Sequence, residues 1–252
     1  MVKNSFDIID AAKKGYIFLA QEWKYVFRLG MPALIASILI GGFVQYFRSS
    51  ASIFEQFLWE IPSTMLFAWL VFMQTRLIFF NERIEKLDQD VSFLKARAKC
   101  LKASVILTLL FHMGLIIFLK LLERTAPPPS ETGIQQAGNL PLLLMLSIVI
   151  LWFTRFSLLP LTAAIDYPLK SFVQSMRGMM ISLRLIALTF MVLFPVFFLF
   201  QIILSSFLPA QADPMSMNPY ILLLIQAPAS FIMVIIINAC FAMAVKEMLF
   251  KK

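Results

Sequence analysis

Six apolar runs divide the chain, extending approximately from Leu29 to Phe47, Leu58 to Phe80, Ala103 to Leu122, Leu140 to Leu159, Met179 to Leu208 and Tyr220 to Val245. A hydrocarbon core about 30 Å thick is crossed by roughly 20 helical residues at ~1.5 Å rise, so each run predicts a membrane-spanning helix. The runs are continuous and lack the short alternating segments of an outer-membrane barrel. The expected fold class is all-α and polytopic, a single integral membrane domain over residues 1–252.

Between the runs the pattern becomes amphipathic. From Ser5 to Arg28, the residues Ile9, Ala12, Tyr16, Leu19, Trp23 and Val26 recur at helical spacing, with Lys3, Asp7, Asp10, Lys14, Gln21, Lys24 and Arg28 on the other stripe. Such a helix lies in the membrane interface, with Trp23 and Tyr16 at headgroup level, or else packs on the protein's own loops. A second amphipathic helix follows the second run, with Val91, Leu94, Ala98 and Leu101 opposite Lys95, Lys99 and Lys102, and with Asp88 or Asp90 as its N-cap. A third follows the fourth run. Asp166, Tyr167 and Pro168 read as its start, and Phe172, Val173 and Met176 oppose Lys170, Gln174 and Arg177.

The same architecture thus occurs three times, over approximately 5–82, 88–165 and 167–252. Each unit is an amphipathic helix, a span outward, a loop and a span inward. A shift of seventy-nine positions superposes Thr75-Arg76 on Thr154-Arg155, Ser92-Phe93 on Ser171-Phe172 and Phe111 on Phe190, whereas Val234 stands where a third arginine would fall. Units of like orientation predict parallel repeats about an axis along the membrane normal, a pseudo-threefold six-helix bundle.

Composition agrees with a lipid environment: 60% hydrophobic residues, 14% charged and a mean hydropathy of +0.84, against about a quarter charged in a soluble domain. Charge sets the threading. With the N-terminus inside, nineteen of the twenty-two Lys and Arg residues fall on the cytoplasmic side and only Arg48, Lys120 and Arg124 on the other. The expected topology has both termini cytoplasmic. The net charge of +8 then faces anionic lipid and does not mark a nucleic-acid surface. Cys100 and Cys240 fall in the cytoplasmic half, where no disulfide is expected, and no metal spacing occurs. More than twenty charged and polar-patterned residues precede the first run, so the first span is expected to be retained and not cleaved as a signal.

Few residues carry candidate chemistry. Arg76, His112, Arg155 and Asn238 are the polar candidates within the spans, serving as ligand contacts or as structural bonds between helices. Arg155 either snorkels to the interface or takes an internal partner, for which Asp166, Gln74 and the carbonyls freed by Pro160 are the choices. Pro160, Asp166 and Arg177 mark the corner between the fourth span and the third amphipathic helix. The acidic residues Glu55, Glu60, Glu123, Glu131 and Asp213 read as loop residues without a partner base. With one histidine and no GxSxG, HExxH or phosphate-binding loop, no enzyme, cofactor or metal is expected.

The stretches FRLGMPALIASIL and TRFSLLPLTAAIDYPLKSFVQSMRGMM resemble a poorly characterised group of bacterial inner-membrane proteins related to the membrane domain of some glycerophosphodiester phosphodiesterases. In that group an Arg, a following Pro and a Ser- and Arg-containing amphipathic segment recur, and Arg155, Pro160, Ser175, Arg177 and Gly178 stand at those places here. The resemblance implies a bacterial cytoplasmic membrane location. It does not carry over phosphodiesterase activity, because it lies in the membrane part. Two functions are compatible with these features. One is a non-enzymatic scaffold or accessory module in a membrane complex. The other is a transporter for a small or amphiphilic solute, with a path along the repeat axis near Arg76, His112, Arg155 and Asn238.

Overall fold

The computed structural model describes residues 6–47, 53–83, 91–125, 148–149, 151–176, 179–207 and 219–250. Among them every regular element is helical: α1 (Ile8–Phe47), α2 (Ile53–Phe80), α3 (Val91–Thr125), a 3-10 segment (Thr154–Leu158), α4 (Leu159–Ala164), α5 (Leu169–Ser175), α6 (Met179–Phe207) and α7 (Pro219–Phe250). Residues 148–149 and 151–153 are also helical, so the chain from 151 to 164 forms one run broken by a tighter turn. Five helices are long and apolar enough to cross a membrane, which is compatible with an integral membrane protein. The outer part of the fourth expected span, its preceding loop, the proposed caps Asp88 and Asp90, and Arg177 lie outside the described residues.

Helix boundaries differ from the pattern in three instructive ways. The first amphipathic stretch and first span form a single helix of 40 residues, about 60 Å long at 1.5 Å per residue. Likewise the second amphipathic stretch runs unbroken into the third span as α3. Pro62 does not start α2 but sits inside it, so Glu55 and Glu60 are helical and not loop residues; a proline's lost hydrogen bond is tolerated within membrane helices. Glu123 is helical too, in α3.

The apolar stripe of the α1 extension also divides. Ala11, Ala12 and Val26 are buried, whereas Ile9, Ile17 and Trp23 face outward and the partly exposed Tyr16 donates its hydroxyl to Val192 O of α6 at 2.8 Å. In lipid a large apolar side chain gains nothing by moving from acyl chains to protein, and close packing selects small residues for the contact. That contact is with α7, antiparallel along its length. Gly15 lies against Cys240, Gly30 against Phe231 and Gly41 against Leu223.

Around this pair the bundle has an inner and an outer layer. α2 and α7 are the most buried of the five span-length helices and touch each other, and the run containing α4 packs against both. Outside them, α1 lies between α7 and α2, α3 between α2 and the α4 run, and α6 between the 3-10 segment and α7. The outward faces of these three are large and apolar, as with Leu39 and Phe43, Ile106 and Leu110, and Phe190 and Phe194. Such faces are expected where lipid is the solvent.

Two corners turn in the left-handed region. Asn81 (φ 53°) ends α2, its N–H donating to the Leu77 carbonyl at 3.0 Å. Asp166 (φ 57°) ends α4, with Asp166 N–H on Ala163 O and Tyr167 N–H on Thr162 O, the paired closure of a Schellman motif. Asp166 therefore closes the preceding helix instead of opening the next. α5 starts at Leu169 with Pro168 at its N-cap and no side-chain cap. In α5, Phe172 is buried while Val173 is exposed alongside Lys170 and Gln174, so the expected apolar face is narrower than the sequence pattern.

Candidate functional site

A cavity of about 390 Å³ opens between α2, α3, the 155–161 region and α7. Helical spacing brings its lining together. α2 contributes Glu60, Ser63, Thr64, Phe67 and Val71; α3 contributes Thr108, Phe111, His112 and Leu115; α7 contributes Ser230, Val234, Ile237, Asn238 and Phe241. Each set recurs at three- and four-residue steps and so occupies one helix face. Ser157, Pro160 and Leu161 complete the wall. Pro160 is buried in the first turn of α4, and its carbonyl accepts from Ser104 Oγ of α3 at 3.0 Å.

At one end of the cavity His112 Nε2 meets Glu60 Oε2 at 2.8 Å across the α2–α3 contact. The side chains are 31% and 40% exposed, and Phe57 stacks on the imidazole with ring centroids 6.4 Å apart. This pairing changes the reading of both residues. Glu60 has a base for a partner, and the histidine has an ionisable partner within an otherwise apolar setting.

Asn238 belongs to a different network. Its Nδ2 donates to Gln74 Oε1 at 2.7 Å, and Gln74 Nε2 donates to the Ile235 carbonyl at 2.9 Å. Gln74 is fully buried and Asn238 nearly so. Replacing Gln74 by Leu removes the acceptor and strands the Asn238 amide, a loss of about 1–3 kcal/mol. The Gln74→Leu/Asn238→Leu double variant removes both polar partners and should regain most of that loss. Denaturation midpoints in detergent micelles check this ordering.

The two arginines do not line the cavity. Arg76 is buried, its Nε and Nη2 donating to the two oxygens of Glu82 at 2.7 and 2.6 Å and its Nη1 to Ala164 O at 2.8 Å. Phe80 and Phe72 flank the guanidinium, with ring centroids 4.9 and 5.6 Å away. Arg97 joins the same carboxylate at 2.9 Å. One carboxylate thus links the end of α2, the start of α3 and the end of α4. Asn81 makes the link possible, because its left-handed turn reverses the chain and returns Glu82 to Arg76.

Arg155 is half-buried. Its Nε donates to Ser182 Oγ at 2.6 Å and its Nη1 to the Met176 carbonyl at 3.1 Å. None of the three partners expected for it is used. It ties the 3-10 segment to the α5–α6 corner, with Trp152 beneath the guanidinium. The remaining basic contacts follow a related pattern at the same end of the bundle. Lys246 donates to Ile78 O near the end of α2, Arg184 to Phe6 O, and Arg83 pairs with Glu22 at 2.6 Å. Of these, the Lys246 contact, like that of Arg76 with Ala164 O, places a cation at a helix C-terminus, where the last carbonyls lack helical partners.

The sequence did not single out Glu82, Arg97 and Ser182; it read Gln74 as a partner for Arg155 and Glu60 as a loop residue without a partner base. A signal existed for Glu60, which lies one helical turn before Thr64 on the face shared with Phe67 and Val71. For Glu82 there was none, since the run after Asn81 has the composition of a solvated linker. Among the described residues no three His, Cys, Asp or Glu side chains come together as metal ligands. No family profile, curated protein or solved structure matches the chain.

Proposed function

We propose that the protein is a non-enzymatic membrane module that scaffolds a partner, built as six spans in three hairpins of like orientation. The contacts of the layers support this reading. The second helical run of each unit is inner, and the first is outer and lodged between two inner ones. The excess of basic residues at the ends where α2 and α7 finish supports placing those ends, and both termini, in the cytoplasm against anionic lipid. The resemblance to the membrane domains of some phosphodiesterases agrees with a bacterial inner-membrane location.

One observation carries the module over the transporter: Arg76 and Arg155, the two charges in equivalent positions, are bonded to carbonyls at helix ends, Ala164 O and Met176 O, and not exposed to a path. Their role is to fix corners. Arg155→Met should therefore lower the amount of folded protein in membranes several-fold, as losses of 1–2 kcal/mol do. Membrane abundance near that of the unaltered protein would overturn the assignment.

Transport draws on the cavity. Against it, neither arginine lines the cavity, and Leu158 and Gln74 are fully buried. Crosslinking and purification from native membranes separates the two. A stoichiometric protein partner supports the module, whereas a lone chain copurifying with a small solute argues for transport.

A further inference from the structure

We infer that the cavity between α2, α3 and α7 is a binding site for a lipophilic cation, an amine or quaternary onium ion with an apolar body, held by the carboxylate of Glu60. The site is additional to partner scaffolding and does not depend on it.

Volume, lining and charge converge on this chemistry. About 390 Å³ falls within the range of small-molecule pockets, roughly 300–1,000 Å³. The wall is mainly apolar, with Phe67, Phe111 and Phe241 among its residues, and among the described residues no Lys or Arg lines it. An anionic headgroup would meet the Glu60 carboxylate, and the imidazole in the wall, His112, is already turned to that carboxylate. A cation would meet the Glu60 carboxylate and aromatic faces, which attract positive charge through the ring quadrupole.

Glu60 is also available. His112 engages Oε2 from one side at 2.8 Å, while the side chain stays 40% exposed. A carboxylate offers about four acceptor positions, so contact with a cation does not require His112 to leave. Ionisable groups set within membrane helices are costly to retain and mark ligand paths. In a setting of low dielectric, a fixed carboxylate discriminates strongly by sign of charge.

The test compares two ions of one shape and opposite charge. The full chain is placed in phosphatidylcholine nanodiscs, and radiolabelled tetraphenylphosphonium and tetraphenylborate are measured by equilibrium dialysis against empty discs. Saturable tetraphenylphosphonium binding near one per chain is expected, with no saturable tetraphenylborate component. Glu60→Gln should weaken the cation at least tenfold, and Glu55→Gln, which lies outside the lining, should leave it unchanged. Absence of saturable binding, equal binding of the two ions, or an unchanged affinity in Glu60→Gln overturns the proposal. If Glu60→Gln loses its monodisperse elution, Val234→Trp, which fills the cavity from α7, decides. Loss of binding in that folded variant supports the site, and full binding overturns it.

Discussion

Glu82→Leu is expected to destabilise the protein more than loss of either arginine bound to it. Arg76, Glu82 and Arg97 have side chains 10%, 17% and 8% exposed, so the cluster is largely removed from solvent. Removing Arg76 leaves Glu82 still held by Arg97 at 2.9 Å, and removing Arg97 leaves the two-point contact with Arg76. Removing Glu82 takes the shared carboxylate from two neighbouring guanidinium groups at once. Breaking a buried pair in this way costs about 3–5 kcal/mol, and here two cations also repel. Arg76→Lys should behave more like Arg76→Met than like the unaltered protein, because an ammonium cannot reproduce two parallel bonds to Glu82 together with one to Ala164. The fraction of monodisperse protein after solubilisation, followed by denaturant titration in micelles, gives the order. A Glu82→Leu protein as stable as Arg76→Met would refute it.

The second large effect is expected at Gly15, where α1 lies against the Cys240 backbone of α7. A methyl group there collides with Cys240 Sγ and comes within 3.0 Å of the Cys240 Cα and N. The backbone of a packed helix cannot yield as a side chain can. Gly15→Ala should thus cost about 1–3 kcal/mol through overpacking, even though alanine is the better helix former by about 1 kcal/mol. Gly41→Ala meets the end of the Leu223 side chain and no backbone among its nearest neighbours, and should be close to neutral. Cys240→Ala added to Gly15→Ala removes the sulfur but not the backbone contact, so recovery should be partial. Unfolding midpoints of Gly15→Ala, Cys240→Ala and their double variant close the cycle, with Gly41→Ala as the comparison. Full recovery in the double variant would show that the sulfur is the whole obstacle.

The sequence made the helical class and the positions of the apolar runs legible, because twenty uninterrupted apolar residues leave few alternatives. It did not mark where helices end. An amphipathic segment that continues in register with a span reads as a separate element, yet α1 and α3 pass through both without a break. Proline misled in the same way at Pro62, which resembles a start signal in water and is tolerated inside a helix in lipid.

For the candidate site, the polar residues could be picked out but their partners could not. Arg155 was visible as a charge in an apolar run, but its bond to Ser182 depends on how the chain turns at Met176. Glu82 was invisible because its importance comes from one backbone angle at Asn81. Glu60 and His112 lie 52 positions apart, and neither carries a local pattern that announces the other. Pairing across helices is decided by rotation about the helix axes, which hydropathy constrains only weakly when both the neighbour and the solvent are apolar.

The close pairing of α1 with α7 has a consequence for the order of events during synthesis. Cys240 of α7 reaches the Ala12 carbonyl of α1 from 228 positions away. At roughly 5–20 residues per second, the two are made on the order of ten to fifty seconds apart. For that interval α1 has α2 beside it, but the Gly15 end of its small-residue face still lacks the Cys240 contact. A membrane helix keeps its backbone hydrogen bonds within itself, so α1 persists as a formed rod, docked on one side only. Completion of the bundle is then a late docking of ready-made helices, with the arrival of α7 as the step that seals the ring.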